Sequence, residues 1–397
     1  MDKFEKYHSR ENESSAKWNL MREKMEKPLE DVVPMSVADM EFELADEIID
    51  GLKEYLDNTI LGYTMPWDGY YESVINHYRN HYGVELEKEE IVPVVGVVPA
   101  LFNAVEAFTE PGEGVIIFTP VYPQFDKAIN MTNRAEVRCP LILKDEEYEI
   151  DFDLFEEQAK ESSNRLVIFC SPHNPSGRIW TAEELEKVVN ICKEHNLVLI
   201  SDEIHSDLGL FGNKVQSIFS LEGVEDMTMV FSSASKTYNL AGLQTANALI
   251  KNKDLKAKFM REIEKIGIHG PNMLGLKATE LAYRYGDKWL KGALEVIEKN
   301  FELTKEFFNR YGDKFTVYNT QATYLAWIGF EAFSKEYDIH SKNFCEFLDE
   351  TNFFINPGVM FGKESKYYIR INLALPTHKY VENLDRLGSA IKDKFGI

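Results

Sequence analysis

Cysteine is scarce in this 397-residue chain, and its pattern excludes the common metal and redox motifs. The four cysteines are Cys139, Cys170, Cys192 and Cys345, and no two of them have C-x-x-C spacing. His173 and His205 complete no recognisable zinc set with them, so the sequence predicts no metal site. Cys170 ends an apolar run and Cys192 lies on an apolar helical stripe. We interpret both as core thiols of a protein from a reducing compartment.

Long apolar runs, low-complexity segments and Ser/Gly linkers are also missing. No uninterrupted apolar stretch approaches the length needed to cross a bilayer. Residues 1–17 are charged and lack the apolar region of a secretory signal. We therefore expect a cytoplasmic protein that has no membrane partner.

Positive charge is in short supply. Lysine and arginine number 44 against 66 acidic residues, which gives a formal net charge of -22. A surface this acidic repels phosphate backbones and anionic lipids, so we expect no nucleic-acid partner. Any anionic ligand must then be held by a local site.

The middle of the chain alternates short apolar runs with helical patterns, which predicts an α/β fold with a mostly parallel sheet wrapped by helices. The predicted strands are Val115–Thr119, Arg165–Cys170, Leu197–Ser201, Met229–Ser232 and Leu243–Ile250. Thr181 and Glu184 form a predicted capping box at the start of one helix. The apolar face of that helix comprises Leu185, Val188, Val189 and Cys192.

The pattern changes toward the C-terminus. Lys253 to Arg310 is largely helical, and the later segments Tyr324–Ile328, Phe353–Ile355 and Tyr367–Asn372 are predicted strands of a smaller α+β domain. We predict three parts: an N-terminal segment, 1–48, that packs with the small domain; a large domain, 49–285, that contains the mostly parallel sheet; and the small C-terminal domain, 286–397.

Polar residues interrupt the pattern where predicted strands end, and ligands of open parallel sheets bind beyond such ends. Asn174, Asp202 and the group Ser233, Ser235 and Lys236 each follow one strand. Gly96, Val97 and Val98 precede Pro99, a suitable first residue for a helix over Ala100–Phe108. One cleft could thus collect an amide, a carboxylate, a lysine, two hydroxyls and a helix N-terminus.

That set of groups suits pyridoxal phosphate. The cofactor needs an amine for its aldehyde, a carboxylate for its pyridine nitrogen and donors for its phosphate. A helix N-terminus together with serine hydroxyls can hold the phosphate dianion. We therefore interpret the strand-end residues as a cofactor site.

Three segments at these strand ends resemble the fold-type I, class I/II aminotransferase superfamily: 171–178 (SPHNPSGR), 201–205 (SDEIH) and 233–242 (SASKTYNLAG). Within it they are most similar to the MalY/PatB branch of cystathionine β-lyases, which includes the cystalysin-like C–S lyases. Further matches are 37–40 (VADM), 61–64 (LGYT), 120–123 (PVYP) and 370–376 (RINLALP). The resemblance spans nearly the whole chain and implies a mixed sheet of the seven-stranded type.

The resemblance also implies a role for each matching residue. Lys236 forms a Schiff base with the cofactor and moves the Cα proton, Asp202 pairs with the pyridinium, and Asn174 binds the ring hydroxyl. Tyr122 stacks on the ring, Arg370 binds the substrate carboxylate, and Tyr63 reaches the phosphate from the second subunit of a homodimer. The remaining phosphate ligands are Val97, Val98, Ser233 and Ser235.

Two positions depart from the usual aminotransferase pattern. His205 stands where aminotransferases commonly have tyrosine, and Gln244 stands where they often have a phosphate-binding arginine. The C–S lyase branch shares both departures. The implied reaction is β-elimination from a small sulfur-containing amino acid, which gives a thiol, pyruvate and ammonia.

Two alternatives remain open at this point. An aminotransferase could use the same scaffold and differ only in the fate of the Cα carbanion. A cofactor-binding regulatory or scaffold protein without catalysis is the other. The residues Arg178, Trp180, Trp18, Asp39 and Met40 could shape the substrate end of the site or serve ordinary packing and salt bridges.

Overall fold

The structure, a computed structural model, describes residues 3–25 and 32–397, and the chain forms two compact units. The central unit comprises Leu44–Asn174 and Arg178–Leu290. The terminal unit comprises Met1–Glu43, Pro175–Gly177 and Lys291–Ile397. Each unit has its own sheet.

Helices in the described residues follow the predicted alternation with strands. They are α1 (Ala16–Lys24), α2 (Asp46–Asp57), α3 (Asp68–Tyr82), α4 (Val97–Phe108), α5 (Pro123–Asn130), α6 (Phe152–Lys160), α7 (Ala182–Glu194), α8 (Ala234–Thr237), α9 (Lys253–Lys265), α10 (Met273–Tyr285), α11 (Asp287–Asn309), α12 (Glu331–Glu336), α13 (Ser341–Glu350) and α14 (Thr377–Phe395). The strands are β1 (Ile91–Val94), β2 (Gly114–Thr119), β3 (Ala135–Pro140), β4 (Ile142–Lys144), β5 (Glu147–Glu149), β6 (Asn164–Cys170), β7 (Val198–Asp202), β8 (Thr228–Ser232), β9 (Ala246–Leu249), β10 (Thr316–Val317), β11 (Leu325–Gly329), β12 (Asn356–Pro357) and β13 (Tyr368–Asn372).

The central unit is built on a mixed sheet of seven strands in the order β1-β9-β8-β7-β6-β2-β3. Strands β8, β7, β6, β2 and β3 run parallel, and β9 runs antiparallel to both β1 and β8. The predicted α/β fold with a mostly parallel sheet is therefore confirmed.

Helices cover both faces of this sheet, and the side chains of each strand alternate between the two faces. Ile117, Ile168 and Ile200 point to one face and pack in a core with residues of α4, α5 and α9. On the other face, Phe118 of β2 meets Phe155 of α6 with ring centroids 5.0 Å apart. Near-continuous apolar strands are what a sheet buried on both faces requires.

The boundaries of β9 and α4 differ from those predicted. The predicted strand Leu243–Ile250 is shorter, because Leu243 ends a 3-10 turn and Gln244 has a φ of 46°. Helix α4 begins at Val97 instead of Ala100, and its N-cap Gly96 has a φ of 128° that favours glycine. Val97 and Val98 therefore lie inside the first helical turn.

The terminal unit has an antiparallel sheet in the order β10-β11-β13-β12. The predicted strand Phe353–Ile355 is wrong, since the paired residues are Asn356 and Pro357 of β12. The apolar run of Phe353, Phe354 and Ile355 is buried. It therefore reflects packing in the core and not hydrogen-bonded pairing with a neighbouring strand.

The central unit contains three buried thiols, and the terminal unit contains the half-buried Cys345. All four cysteines are free, and burial raises the pKa of each thiol above its ordinary value. Cys170 and Cys192 are buried, as the sequence predicts for core thiols. Across residues 3–25 and 32–397, no helix is both long and apolar enough to span a bilayer.

The capping box of α7 provides a stability test. The Thr181 hydroxyl accepts from the Glu184 backbone N–H at 3.2 Å, and the Glu184 carboxylate accepts from the Thr181 N–H at 2.7 Å. Thr181→Ala leaves an N-terminal amide without its partner, so we expect the free energy of unfolding to fall by about 1 kcal/mol. Urea denaturation measures this fall. Ser162→Ala, at an exposed turn position, is the control, and equal stability of the two variants would contradict the assignment.

Candidate functional site

The carboxyl ends of β6, β7 and β8 lie side by side in the central unit. Cys170 pairs with Asp202, and Asp202 pairs with Phe231, so the three strands end at one level. The Ser171 N–H donates to the Asp202 carbonyl at 3.0 Å and extends the pairing beyond the strands. The polar residues that follow each strand are consequently gathered at one edge of the sheet, as predicted.

Asp202 has an environment that is unusual for a carboxylate. It is only 4% exposed, and burial raises the pKa of its carboxyl to about 7 in spite of two opposing interactions. These are the Ile204 backbone N–H, which donates to Oδ1 at 3.2 Å, and the positive charge of Lys236. Asp202 and Lys236 are therefore close enough to interact electrostatically.

Asn174 lies in a turn beyond β6 that folds back on the strand end. Its backbone N–H donates to Cys170 Sγ at 3.4 Å, and the His173 N–H donates to the Arg178 carbonyl at 2.9 Å. Asn174 is 4% exposed. Burial lowers the pKa of His173 to about 4, so the imidazole is neutral at physiological pH. The turn thus places Asn174 beyond the end of β6, which pairs with the Asp202 strand.

Ser233 and Ser235 lie at the start of the one-turn helix α8, which carries Lys236. Ser233 Oγ accepts from the Ser235 N–H at 3.0 Å and donates to the Thr245 carbonyl at 2.6 Å. Ser235 Oγ is 3.5 Å from the same carbonyl, a long contact that leaves its hydroxyl able to turn elsewhere. Ser233 therefore caps α8, whereas Ser235 has the more available hydroxyl.

The first turn of α4 lies at the same edge as α8. Val94, the last residue of β1, pairs with Ala246, while Ser232, the last residue of β8, pairs with the adjacent Asn247. The segments that follow β1 and β8 thus leave the sheet together. The N-cap Gly96 has no side chain to cap the helix, so the first backbone N–H groups of α4 face outward from the helix end.

Two tyrosines were also predicted to belong to the site. Tyr122 is the N-cap residue of α5, follows β2 at the same edge, and is half-buried against the sheet core. Tyr63 is fully exposed in the segment between α2 and α3, together with Ile60, Leu61 and Met65. Within the central unit, the structure therefore gathers the strand-end residues and leaves Tyr63 on the surface.

Arg370 belongs to the terminal unit, where it lies on β13 with 5% exposure. Its Nη2 donates to Asn356 Oδ1 at 2.8 Å and to the Ser36 carbonyl at 3.2 Å. The Phe361 ring lies 4.6 Å from the guanidinium carbon. These contacts fix the plane of the guanidinium within its own unit.

The residues left undecided between substrate contact and packing have structural partners. Arg178 donates to both Glu184 oxygens, at 3.2 and 3.1 Å, and Trp180 Nε1 donates to the Cys170 carbonyl at 2.9 Å. In the terminal unit, Trp18 and Met40 are buried, and Asp39 forms ion pairs with Lys17 at 2.7 Å and Arg10 at 3.0 Å. Structural roles therefore account for these side chains.

Sequence reasoning missed two residues next to the site. Thr237 directly follows Lys236, and its hydroxyl donates to Asp207 at 2.8 Å. Asp207 follows β7, whose last residue is Asp202, in the segment that also carries His205. The available signal was the position of Asp207, an acidic residue soon after a strand end. Its partners on α3 are distant in sequence, so no local pattern connects them.

Known proteins are similar to this chain over most of its length. The family Aminotransferase class I and II matches residues 30–386. Cystathionine beta-lyase PatB of Bacillus subtilis is 34% identical over 390 residues, covering 98% of this chain and 99% of the relative. Protein MalY of Escherichia coli is 26% identical and covers 91% of this chain and 92% of MalY. The crystal structure of cystalysin from Treponema denticola, which contains pyridoxal 5'-phosphate, has 40% identity, a TM-score of 0.95 and 98% coverage of both chains.

The raised pKa of Asp202 predicts a pH effect on the ligand-free protein. A carboxyl whose folded pKa lies near 7 resists ionisation, whereas the unfolded carboxyl ionises near pH 4. As the pH rises between these two values, the free energy of unfolding of the wild type should fall relative to that of Asp202→Asn, by about 1.4 kcal/mol per pH unit at most. Unfolding curves at pH 4.5, 5.5, 6.5 and 7.5 measure the difference. Burial also raises the pKa of Glu203, but Glu203 is present in both proteins. A stability difference that does not change with pH would therefore refute the assignment to Asp202.

Proposed function

This chain belongs to the class I and II aminotransferase family and is a pyridoxal-phosphate-dependent C–S β-lyase, and on that premise we propose the residues that perform the reaction. The electrostatic interaction between the buried Asp202 carboxyl and the half-buried Lys236 is the observation that carries the proposal. Lys236 would hold the cofactor's aldehyde carbon, and Asp202 would face its pyridine nitrogen.

The residues present fit this cofactor. A desolvated carboxyl with a raised pKa becomes a stable anion only when a cation lies beside it, and a protonated pyridine nitrogen is such a cation. Pyridoxal phosphate, when bound, supplies an electron-withdrawing ring that stabilises negative charge at the Cα of an amino acid. Holding the Asp202 carboxylate beside the ring nitrogen, which keeps that nitrogen protonated, is therefore the protein's contribution to that electron withdrawal.

The other strand-end residues would orient the cofactor. The Asn174 side chain would donate to the ring hydroxyl, and the Tyr122 ring would cover one ring face. The first N–H groups of α4, at Val97 and Val98, would bind the phosphate together with the Ser235 hydroxyl. Ser233 would contribute mainly by capping α8, since its hydroxyl already donates to the Thr245 carbonyl.

Arg370 would bind the α-carboxylate of the substrate through paired N–H donors. Its contacts with Asn356 and Ser36 support this role, because both hold one nitrogen of the guanidinium and so set its orientation. We propose that the central unit corresponds to the predicted cofactor-binding domain and that the terminal unit corresponds to the N-terminal segment with the small domain.

Proton transfer would be the task of the Lys236 amine. The Lys236 amine, when it is not bonded to the cofactor, would take the Cα proton of the substrate and would return a proton to the leaving thiolate. Loss of the Cβ–S bond then gives a thiol, and the remaining three-carbon fragment hydrolyses to pyruvate and ammonia. A small sulfur-containing amino acid such as cystathionine is the proposed substrate.

We further propose that the active form is a cytoplasmic homodimer in which Tyr63 reaches the phosphate of the partner subunit. Ile60, Leu61, Tyr63 and Met65 are exposed by 90%, 69%, 110% and 75%, which is an unusual concentration of apolar surface in one short segment. A second copy of the chain would cover it. The free cysteines support a reducing location.

Cystathionine supplied alone distinguishes the lyase from an aminotransferase. We expect equal amounts of pyruvate and free thiol without an added keto acid, measured by lactate dehydrogenase coupling and thiol titration. Turnover that depends on a keto acid would favour the aminotransferase. Failure of the protein to develop a cofactor absorbance band would favour the regulatory alternative.

Lys236→Ala tests the central assignment. Loss of the amine removes both the covalent anchor and the base, so kcat should fall by on the order of 10³-fold or more. Lys253→Ala, at an exposed position on α9, is the matched control and should keep wild-type rates. Borohydride reduction followed by peptide mass analysis should place the cofactor on Lys236. A fully active Lys236→Ala would refute the assignment.

Complementation tests the shared site. Lys236→Ala and Tyr63→Phe proteins are each impaired, but a mixed dimer regains one site with both native residues. Random mixing should restore about one quarter of wild-type activity, since half of the dimers are mixed and each holds one intact site. If both residues act within one subunit, unfolding and refolding the mixture together would restore nothing beyond the sum of the two variants.

A further inference from the structure

A buried cluster in the central unit adjoins α8, and we call it the Asp207 cluster. It comprises Asp207, His77 and Tyr82 of α3, and Thr237 of α8. Asp207 Oδ1 accepts from His77 Nε2 at 2.9 Å and from the Tyr82 hydroxyl, and Oδ2 accepts from the Thr237 hydroxyl at 2.8 Å. Both carboxylate oxygens are thus engaged by side chains.

The cluster holds Asp207 as an anion. Burial by itself would raise the pKa of the carboxyl, but the interaction with His77 and the three hydrogen bonds outweigh it and leave the pKa well below its ordinary value. The side chain is 5% exposed. His77 is itself fixed, because its ring stacks on that of Tyr283 with centroids 4.0 Å apart. The carboxylate is therefore a rigid acceptor.

Helix α8 needs such an external anchor. It has only four residues, Ala234–Thr237, and a helix this short is not stable by its own backbone bonds. One end is tied to the Thr245 carbonyl by Ser233. The other end is tied to Asp207 by Thr237, which is fully buried and adjacent to Lys236. The direction in which Lys236 leaves the backbone depends on both ties.

Asp202, the last residue of β7, and Asp207 lie in one short segment that begins at the strand end. Its turns are closed by the Ser206 N–H donating to the Glu203 carbonyl and the Leu208 N–H donating to the His205 carbonyl, both at 3.0 Å. Asp202 interacts with the Lys236 charge, while Asp207 holds the residue next to Lys236. The segment therefore contacts the lysine turn at two points.

We propose that Asp207 is a positioning residue that acts through Thr237 to hold the Lys236 amine at a fixed distance from Asp202. The proposal rests on the role assigned to Lys236 above. His77 and Tyr82 orient the carboxylate, and the carboxylate orients the turn. The amine is thereby kept where it can reach both the cofactor's aldehyde carbon and the Cα proton of the substrate, with no search through alternative rotamers.

A metal ion is the competing explanation for this cluster. His77, His81 and Asp207 each offer a ligand atom within 4.8 Å of the others. The two imidazole rings stack, however, with centroids 4.4 Å apart and planes at 28°, so their in-plane lone pairs run nearly side by side. Asp207 is moreover already engaged by three donors. A hydrogen-bond network accounts for the geometry better than a metal site.

Thr237→Val tests the proposal, since it removes the donor and keeps the shape. In the cofactor-loaded enzyme we expect kcat to fall by roughly 10–100-fold with little change in KM, because misplacing a reacting group by about 1 Å can cost on the order of 100-fold. The pH titration of the bound cofactor's absorbance should shift, and less cofactor should be trapped on Lys236 by borohydride at a fixed time. Thr237→Ser keeps the hydroxyl and should restore all three properties.

Thr228→Val is the matched control. Thr228 is also a fully buried threonine of the same sheet region, and its hydroxyl has no hydrogen-bond partner within the described residues. This variant should leave kcat, the titration and the trapping unchanged. Thermal unfolding of all variants separates a positioning defect from loss of the fold, and Asp207→Asn provides a second route to the same defect if Thr237→Val is poorly folded.

The outcomes separate this inference from the proposed function. If Thr237→Val and Asp207→Asn both keep the wild-type kcat and an unshifted titration, while Lys236→Ala is inactive, only the positioning role is overturned. An active Lys236→Ala would overturn the proposed function itself. Loss of activity after dialysis against a chelator, restored by zinc, would instead establish the metal site and overturn the positioning role.

Discussion

A carboxyl group withdrawn from water is the constraint on which the site depends. Asp202 sits at the end of a strand buried on both faces, where an isolated anion is costly. The parallel alignment of β6, β7 and β8 puts it there, and that same alignment brings in the turns that carry Asn174 and Lys236. Burial of Asp202 at the end of the sheet therefore favours a cation beside it, and Lys236 is one such cation. A cofactor with a basic ring nitrogen supplies another.

Much of this arrangement could be predicted from the sequence, because strands buried on both faces leave continuous apolar runs that end at polar residues. The predicted strands around β2, β6, β7 and β8 agree with the structure to within a residue or two at either end. The capping box of Thr181 and Glu184 was predictable as well, since its two partners are close in sequence.

Other features could not be predicted, for physical reasons. Phe353–Ile355 looks like a strand because burial selects the same residues whether or not the backbone pairs, and the pairing begins only at Asn356. The antiparallel direction of β9 depends on how the chain returns after α8. Asp207 is bound by His77 and Tyr82, which lie more than a hundred residues earlier in the chain. Such long-range contacts leave no local pattern.

The raised pKa values of the buried cysteines are important because the products of the reaction are sulfur compounds. An enzyme that liberates a thiol or sulfide at each turnover works in a solution rich in sulfur nucleophiles and in the disulfides they form. Exchange with those species requires a thiolate, and burial keeps Cys139, Cys170 and Cys192 in the thiol form. Cys170 lies beside Asp202 in the sheet, where a mixed disulfide would displace the strand end. The raised pKa values of these three buried thiols thus reduce their exchange with the compounds that the enzyme releases.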